Sequence, residues 1–174
     1  MKQEINVWEY AAQILEGVRK GVLLTTRADG QTNTMTISWG ALGIEWNKPI
    51  FTAFVRQSRH TKRLLDKNPE FTVNIPIDPV DKKIFGLCGT RSGRDLDKFR
   101  ELGLTPVEGQ TVSVPAIAQL ALTLECKVIY RQDQDLSALE QTYRQGSYPA
   151  GTVEENNFHT AYYGEITAAY ILKD

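Results

Sequence analysis

Hydrophobic and polar positions alternate most sharply over Asn33–Gly40, which reads N-T-M-T-I-S-W-G. Side chains on a strand point alternately to opposite faces. Met35, Ile37 and Trp39 therefore share one face, and Thr34, Thr36 and Ser38 share the other. The apolar stripe belongs in a core. The hydroxyl stripe is either a solvated sheet face or a wall of donors and acceptors for a planar polar ligand. Alternation also predicts strands over Gly21–Arg27, Ile50–Val55, Phe71–Ile75 and Ala161–Leu172. Leu120–Arg131 is the most regular, with Leu120, Leu122, Leu124, Cys126, Val128 and Tyr130 on one face. Ala28-Asp29-Gly30-Gln31 sets a D-G turn between the first two strands, which is a hairpin signal.

Helical spacing takes over elsewhere. Val7, Ala11, Leu15 and Val18 predict an N-terminal helix ending near Gly21. His60–Lys67 predicts a short helix, with Ser58 or Thr61 available to cap it. Asp95–Leu102 predicts another, capped by Asp95 and closed by Gly103, and Leu136–Arg144 a modest one. Cys88–Asp95, C-G-T-R-S-G-R-D, reads as a glycine-rich loop, and Gln145–Asn157 as a polar loop. Strands mostly in hairpin order, with short helices between them, predict an antiparallel barrel with attached helices.

The chain has 174 residues, of which 41% are hydrophobic and 24% charged. That predicts one globular domain over 1–174, a helix in 1–20 followed by a barrel in 21–172. The net charge of -1 argues against a nucleic-acid footprint, which needs a basic stripe. No apolar run approaches the roughly 18 residues of a membrane span. The charged start, Met1-Lys2-Gln3-Glu4, is no signal core, so a cytoplasmic location is expected. Cys88 and Cys126 stand apart and outside any C-x-x-C motif, against both a disulfide framework and a zinc site. His60 and His159 are the only histidines, and no H-E-x-x-H accompanies them, so no metal is expected. Fingerprints of a Rossmann domain, a Walker loop and a nucleophile elbow are all missing.

Four segments could carry chemistry. The first is the hydroxyl stripe. The second is Arg56–Lys62, R-Q-S-R-H-T-K, where a strand gives way to a helix. Helix N-termini offer free N–H groups and a favourable dipole to anions, and Arg59 can grip a phosphate through two N–H groups. A capped, solvated helix start is the plainer alternative. The third is the Cys88–Asp95 loop, whose glycines allow close backbone approach to a ligand. Taken alone, those residues read first as a mobile surface loop before a helix, and no base is visibly paired with Cys88. The fourth is Phe158–Glu165, where His159 stands at the mouth of the last strand. It either meets a polar substrate or bonds the backbone as a buried histidine. Asn74 points opposite Phe71, Val73 and Ile75, toward a ligand or toward solvent.

In chain order these pieces read N-T-M-T-I-S-W-G, P-I-F-T-A-F-V-R-Q-S-R-H-T, F-T-V-N-I-P, C-G-T-R-S-G-R-D-x-D-K-F, L-x-L-E-C-K-V and H-T-A-Y-Y-G-E-I. In this combination the chain resembles the flavin reductase-like family of FMN-binding split-barrel proteins, which includes flavoredoxins, over Gly21–Leu172. The resemblance implies a mostly β fold, a six-stranded antiparallel Greek-key barrel with short flanking helices. It implies a homodimer with FMN near the interface. It also implies NADH or NADPH as co-substrate, and a flavin-accepting monooxygenase or redox protein as partner. By motif, Asn33, Thr36, Ile37, Ser38 and Trp39 would meet the isoalloxazine ring. Ser58, Arg59, Thr61 and Lys62 would hold the ribityl phosphate. Asn74 and the loop carrying Cys88, Gly89, Ser92, Gly93 and Arg94 would close over the flavin. His159 matches the family histidine where the nicotinamide approaches, although Asn157-Phe158 replace the Gly-Asp that commonly precedes it.

This pattern also fits a flavin without the resemblance. A flavin needs partners at its pyrimidine edge, anion binding at its phosphate and an open ring face. Hydride chemistry belongs to the cofactor, so no acid–base constellation is required. Three readings follow: an NAD(P)H-dependent flavin reductase, an FMN electron carrier of the flavoredoxin type, and a barrel for another ligand such as haem, or for a protein partner only.

Overall fold

The computed structural model describes residues 1–173. Its frame is one antiparallel sheet of eight strands. Six are those expected from alternation: β2 (Val22–Ala28), β3 (Gln31–Ile37), β5 (Lys48–Arg56), β6 (Glu70–Ile75), β9 (Leu122–Asp133) and β10 (His159–Leu172). The other two, β1 (Lys2–Glu4) and β4 (Gly40–Glu45), are additional. The order is β3-β2-β6-β9-β10-β5-β4, with β1 also on β10. β10 is long enough to split its free edge: His159–Glu165 pairs with β5, and Tyr170–Leu172 with β1. The two ends of the path, β3 and β4, are consecutive in sequence and joined only by Ser38 and Trp39. The split in the barrel therefore falls at Trp39.

Asp29 and Gly30 both have positive φ, the geometry of a tight hairpin turn between β2 and β3. Trp46 and Asn47 do the same between β4 and β5 without a glycine. The main core fills the sheet's inner face with Leu24, Phe51, Phe71, Val73, Leu124 and Tyr162. Helix α1 (Ala11–Lys20) closes it with Ile14 and Val18, and ends at Gly21 with φ 113°. Ile14 takes the buried position that spacing assigned to Leu15, which is 44% exposed.

The outer face of β2, β3 and β6 is covered too. Helices α3 (Lys82–Thr90) and α4 (Lys98–Leu102) pack there over Leu23, Ile84, Cys88 and Leu104, and the short ladder of β7 (Pro106–Val107) and β8 (Ala116–Ile117) adds Ile117. Two expectations are corrected here. Cys88–Thr90 is the last turn of α3, not loop; Asp81 caps that helix by accepting from Lys83 N at 2.9 Å, and Ile84 and Cys88 bury one face. The cap of α4 is Asp97, not Asp95, accepting from Arg100 N at 3.1 Å. Helix α2 (His60–Lys67) follows β5 with Arg59 at its N-cap, and neither Ser58 nor Thr61 caps it. Helix α5 (Gln141–Ser147) starts later than spacing suggested. Among the described residues, no helix is long and apolar enough to cross a membrane.

Candidate flavin site

The end of β3, the β5–α2 turn, the segment after α3 and the start of β10 converge on two adjoining cavities. One, of about 130 Å3, is cationic. Arg59, Arg91, Arg94 and Lys98 line it, with no carboxylate among the described residues. Among the described residues none of these four forms an ion pair. Three of them donate to backbone carbonyls instead: Arg59 to Gly89 at 3.0 Å, Arg94 to Ser58 at 2.9 Å, and Lys98 to Thr34 at 2.8 Å and Cys88 at 3.0 Å. Burial, more than nearby Arg59, pulls the Lys98 ammonium below its ordinary value, and burial with Arg56 does the same for Arg59. Gathering unpaired cations costs repulsion, and a bound anion relieves it.

His60 lines this cavity as well. Its Nε2 meets Gln31 Oε1 at 3.1 Å, and its buried Nδ1 has no partner among the described residues. Burial, then Arg94, Arg63 and Lys98, holds it below the usual histidine range, so it is neutral at pH 7. Ser58, Thr61 and Ser92 supply hydroxyls. Asn33 donates to Thr61 Oγ1 at 2.8 Å, and Gly93 sits against Asn33 so tightly that a Cβ there would lie 2.0 Å from its Oδ1.

The second cavity, about 220 Å3, adjoins the first at Met35 and Arg59, which line both. Thr36, Ile37, Ser38 and Trp39 form one wall; Phe54, Arg56 and His159 form the other. The Trp39 and His159 rings lie 4.8 Å apart between centroids. Burial, then Arg56 and Arg59, pushes His159 down to about 4. Its Nδ1 is hydrogen-bonded to the Tyr148 hydroxyl, which also reaches Gln134 Oε1 at 3.2 Å. Arg56 lies over the Tyr148 ring at 5.3 Å. Asn157 accepts from Ser58 N at 3.0 Å and so ties the start of the histidine's strand to the β5–α2 turn.

The structure does not bring every expected residue to these cavities. Asn74 is fully buried under β8 and spends its amide on Leu23 O, Thr25 Oγ1, Thr72 Oγ1 and Ile117 N. Lys62 turns away to Asp66 at 2.7 Å. Cys88 is buried in the outer core, its thiol pushed up to about 11 by burial, and Gly89 contributes its carbonyl to Arg59. The hydroxyl stripe is neither solvated nor a ligand wall along its length. Thr34 is buried against Thr25 at 3.1 Å, and Thr36 donates to Phe85 O at 2.7 Å, holding α3. Only Ser38 of the three is exposed.

Lys98 and Tyr148 were not singled out from sequence, and Arg56, His60 and Arg91 entered only as members of the Arg56–Lys62 and Cys88–Asp95 segments, with no role of their own. Lys98 stands inside the quoted R-D-x-D-K-F run, but a lysine on a short helix reads as solvent-facing. Tyr148 lies in a segment whose only local signal is polarity.

Residues 18–174 match the family model described as a flavin reductase like domain. The chain belongs to the flavin reductase-like family. Its fold superposes on the flavoredoxin of Desulfovibrio vulgaris (Miyazaki F) with a TM-score of 0.67, at 24% identity over 88% of this chain and 69% of that one. The flavoredoxin from Methanosarcina acetivorans gives 0.67 at 25%, covering 88% of this chain and 68% of the other. An uncharacterised protein of Archaeoglobus fulgidus is 32% identical over 97 residues, 56% of this chain and 54% of its own length. The chain thus spans about half the length of that relative.

Proposed function

We propose that this chain is an FMN-dependent oxidoreductase of the flavin reductase type, with NADH or NADPH as electron donor. The observation that carries it is the pair of adjoining cavities that share Arg59 and Met35 in their walls, one cationic and the other walled by Trp39. Those two environments match the phosphate and the ring of one FMN molecule. When bound, the flavin supplies the hydride chemistry. Arg59, Arg91, Arg94 and Lys98 neutralise the phosphate, and Ser58, Thr61 and Ser92 offer it hydroxyls. Ser38 and the backbone of residues 36–39 meet the ring. His159, neutral at pH 7 and fixed by Tyr148, keeps positive charge from accumulating beside Arg56 and Arg59 at the ring end. Homodimerisation is part of this reading, since exposed Trp46 and Tyr130, packed with half-buried Tyr163, leave an aromatic face on the barrel that gains from cover. Reduced flavin would pass to a monooxygenase or a redox protein.

A carrier that retains FMN and takes electrons from a protein is the second reading. The observation favouring it is the tight seat of Gly93 on Asn33, which closes residues 90–94 over the cationic cavity.

The deciding experiment is anaerobic. The protein is saturated with FMN, NADH or NADPH is added, and the visible flavin band is followed. Rapid bleaching supports the reductase and identifies the nicotinamide. Flavin that stays yellow with both rejects nicotinamide dependence in favour of the carrier. Failure to bind FMN rejects the flavin site.

A further inference from the structure

His60 is the first residue of α2, is 6% exposed, and lines the cationic cavity. Two hydrogen bonds in series fix its tautomer. Gln31, the first residue of β3, donates from Nε2 to Gly93 O at 3.3 Å. A carbonyl only accepts, so the amide nitrogen faces Gly93 and the amide oxygen faces His60. The His60 Nε2, 3.1 Å from that oxygen, therefore carries a hydrogen. In the neutral ring Nδ1 is then a bare lone pair, buried and without a partner among the described residues. Nε2 and Cδ2 form the ring edge turned to Gln31 and Gly93, where a Cβ at residue 93 would come within 3.2 Å of Cδ2. Nδ1 lies on the opposite edge.

A buried acceptor without a donor is costly. The charged groups that bear on this ring are Arg63 on its own helix, Arg94 on the segment after α3, and Lys98 on α4. Arg94 and Lys98 donate to the carbonyls of Ser58, Thr34 and Cys88 instead. β3 offers the cavity only uncharged Asn33, while Arg27 of β2 and Arg56 of β5 are paired with Glu108 and Glu154. Burial and the surrounding cations disfavour a charged imidazole, and an anion set among those cations reverses the balance. A phosphate dianion carries acceptors only, so beside it the Nδ1 lone pair is repelled. A proton on Nδ1 turns that acceptor into a donor and leaves the Nε2 bond to Gln31 intact.

We propose that His60 couples phosphate binding to proton uptake: entry of the FMN phosphate draws one proton from solvent onto Nδ1, which then donates to the anion. The inference rests on the flavin reading of the cavity. No bond to phosphorus forms or breaks; one proton leaves solvent and one N–H forms. FMN is thus held with a charged imidazole, and riboflavin, which lacks the phosphate, with a neutral one. Affinity for FMN falls as pH rises above neutrality, and affinity for riboflavin does not.

The test is calorimetric titration of the full-length protein with FMN and with riboflavin at pH 7.5, in two phosphate-free buffers of different ionisation enthalpy. The difference in heat between the buffers counts protons. At that pH the free FMN phosphate is a dianion. An anion within about 4–6 Å raises a histidine's pKa by about 1–3, so FMN binding takes up about 0.5–1 proton and riboflavin binding none. His60→Gln abolishes the uptake, and ring-nitrogen NMR of the parent complex shows His60 as an imidazolium. FMN binding without proton uptake overturns the proposal. So does uptake that persists in His60→Gln, which places the proton on Lys98 or on the phosphate, and so does a His60 ring that stays neutral in the FMN complex. If FMN fails to bind while inorganic phosphate binds with the same uptake, the flavin reading falls and the coupling stands. If neither binds, both fall.

Discussion

Asn33 on β3 donates to Thr61 on α2 at 2.8 Å, and this bond fixes the depth of the cationic cavity. Gly93 closes the cavity from the opposite side, against the same amide. A Cβ at residue 93 would lie 2.0 Å from Asn33 Oδ1 and 3.2 Å from His60 Cδ2. Gly93→Ala must therefore displace Asn33 or lift residues 90–94. The expected result is FMN affinity lowered at least ten-fold, with thermal stability within a few degrees of the parent, because residue 93 lies outside both cores. Flavin fluorescence titration beside a melting curve checks it. Unchanged affinity would remove this face from the flavin site.

Arg59 stands where the two cavities meet, and among the described residues its guanidinium has no carboxylate partner. A charge-assisted bond to a phosphate is worth about 1.5–3 kcal/mol. Arg59→Ala should accordingly weaken FMN by about ten- to a hundred-fold, and riboflavin, which lacks the phosphate, far less. Parallel titrations with both ligands give the answer. Equal losses would assign Arg59 to the ring, not the phosphate.

The barrel was legible because its strands alternate and because Asp29-Gly30 announces a hairpin. β4 was not, since its turn uses Trp46-Asn47, two residues with positive φ that carry no glycine signal. Helix α3 was read as loop at its end because Gly86 and Gly89 mask the Ile84/Cys88 stripe. The hydroxyl stripe shows a deeper limit. Alternation correctly separates its faces, but both faces of β3 are covered, the outer one by α3, and one strand's pattern cannot reveal its cover. Asn74 was misjudged for the same reason: β8 lies over it. The cationic cavity was half legible. Arg59 and Arg94 sit in motifs, whereas Lys98 needs the fold to bring α4 beneath them.

Glu125 is wholly buried on β9, yet its carboxylate is saturated with donors. It accepts from Gln110 N at 2.7 Å, Thr111 N at 2.6 Å, Thr111 Oγ1 at 2.8 Å and Tyr170 OH at 2.8 Å. Burial alone would raise its pKa; the bonds from Thr111 and Gln110 outweigh that and lower it. Its stabilisation is therefore present above the unfolded carboxylate range and is lost as pH falls through the folded value. Glu125→Gln leaves several of those donors poorly matched and should cost about 2–4 kcal/mol in urea unfolding at pH 7. The deficit should shrink toward pH 3. A variant as stable as the parent at pH 7 would mean that the segment at 110–111 is held by other contacts.

His159 has a linkage of the same sign, acting at higher pH. The folded protein holds it at about 4, against 6.5 when unexposed to burial and to Arg56 and Arg59. Between those values the unfolded chain takes up a proton that the folded one refuses, so stability falls as pH drops from about 6.5 to 4. His60 is shifted in the same direction and contributes to the same slope. Removing one of the two histidines should therefore remove only its share. His159→Gln is expected to reduce the loss of urea midpoint between pH 7 and pH 5, leaving the share carried by His60. Tyr148→Phe leaves the imidazole in place but deletes the hydroxyl on Nδ1. In that variant the His159 ring-nitrogen NMR signals should report a changed tautomer balance, with FMN still bound. A His159→Gln slope identical to the parent's would show that this ring titrates freely and is not locked between Trp39 and Tyr148.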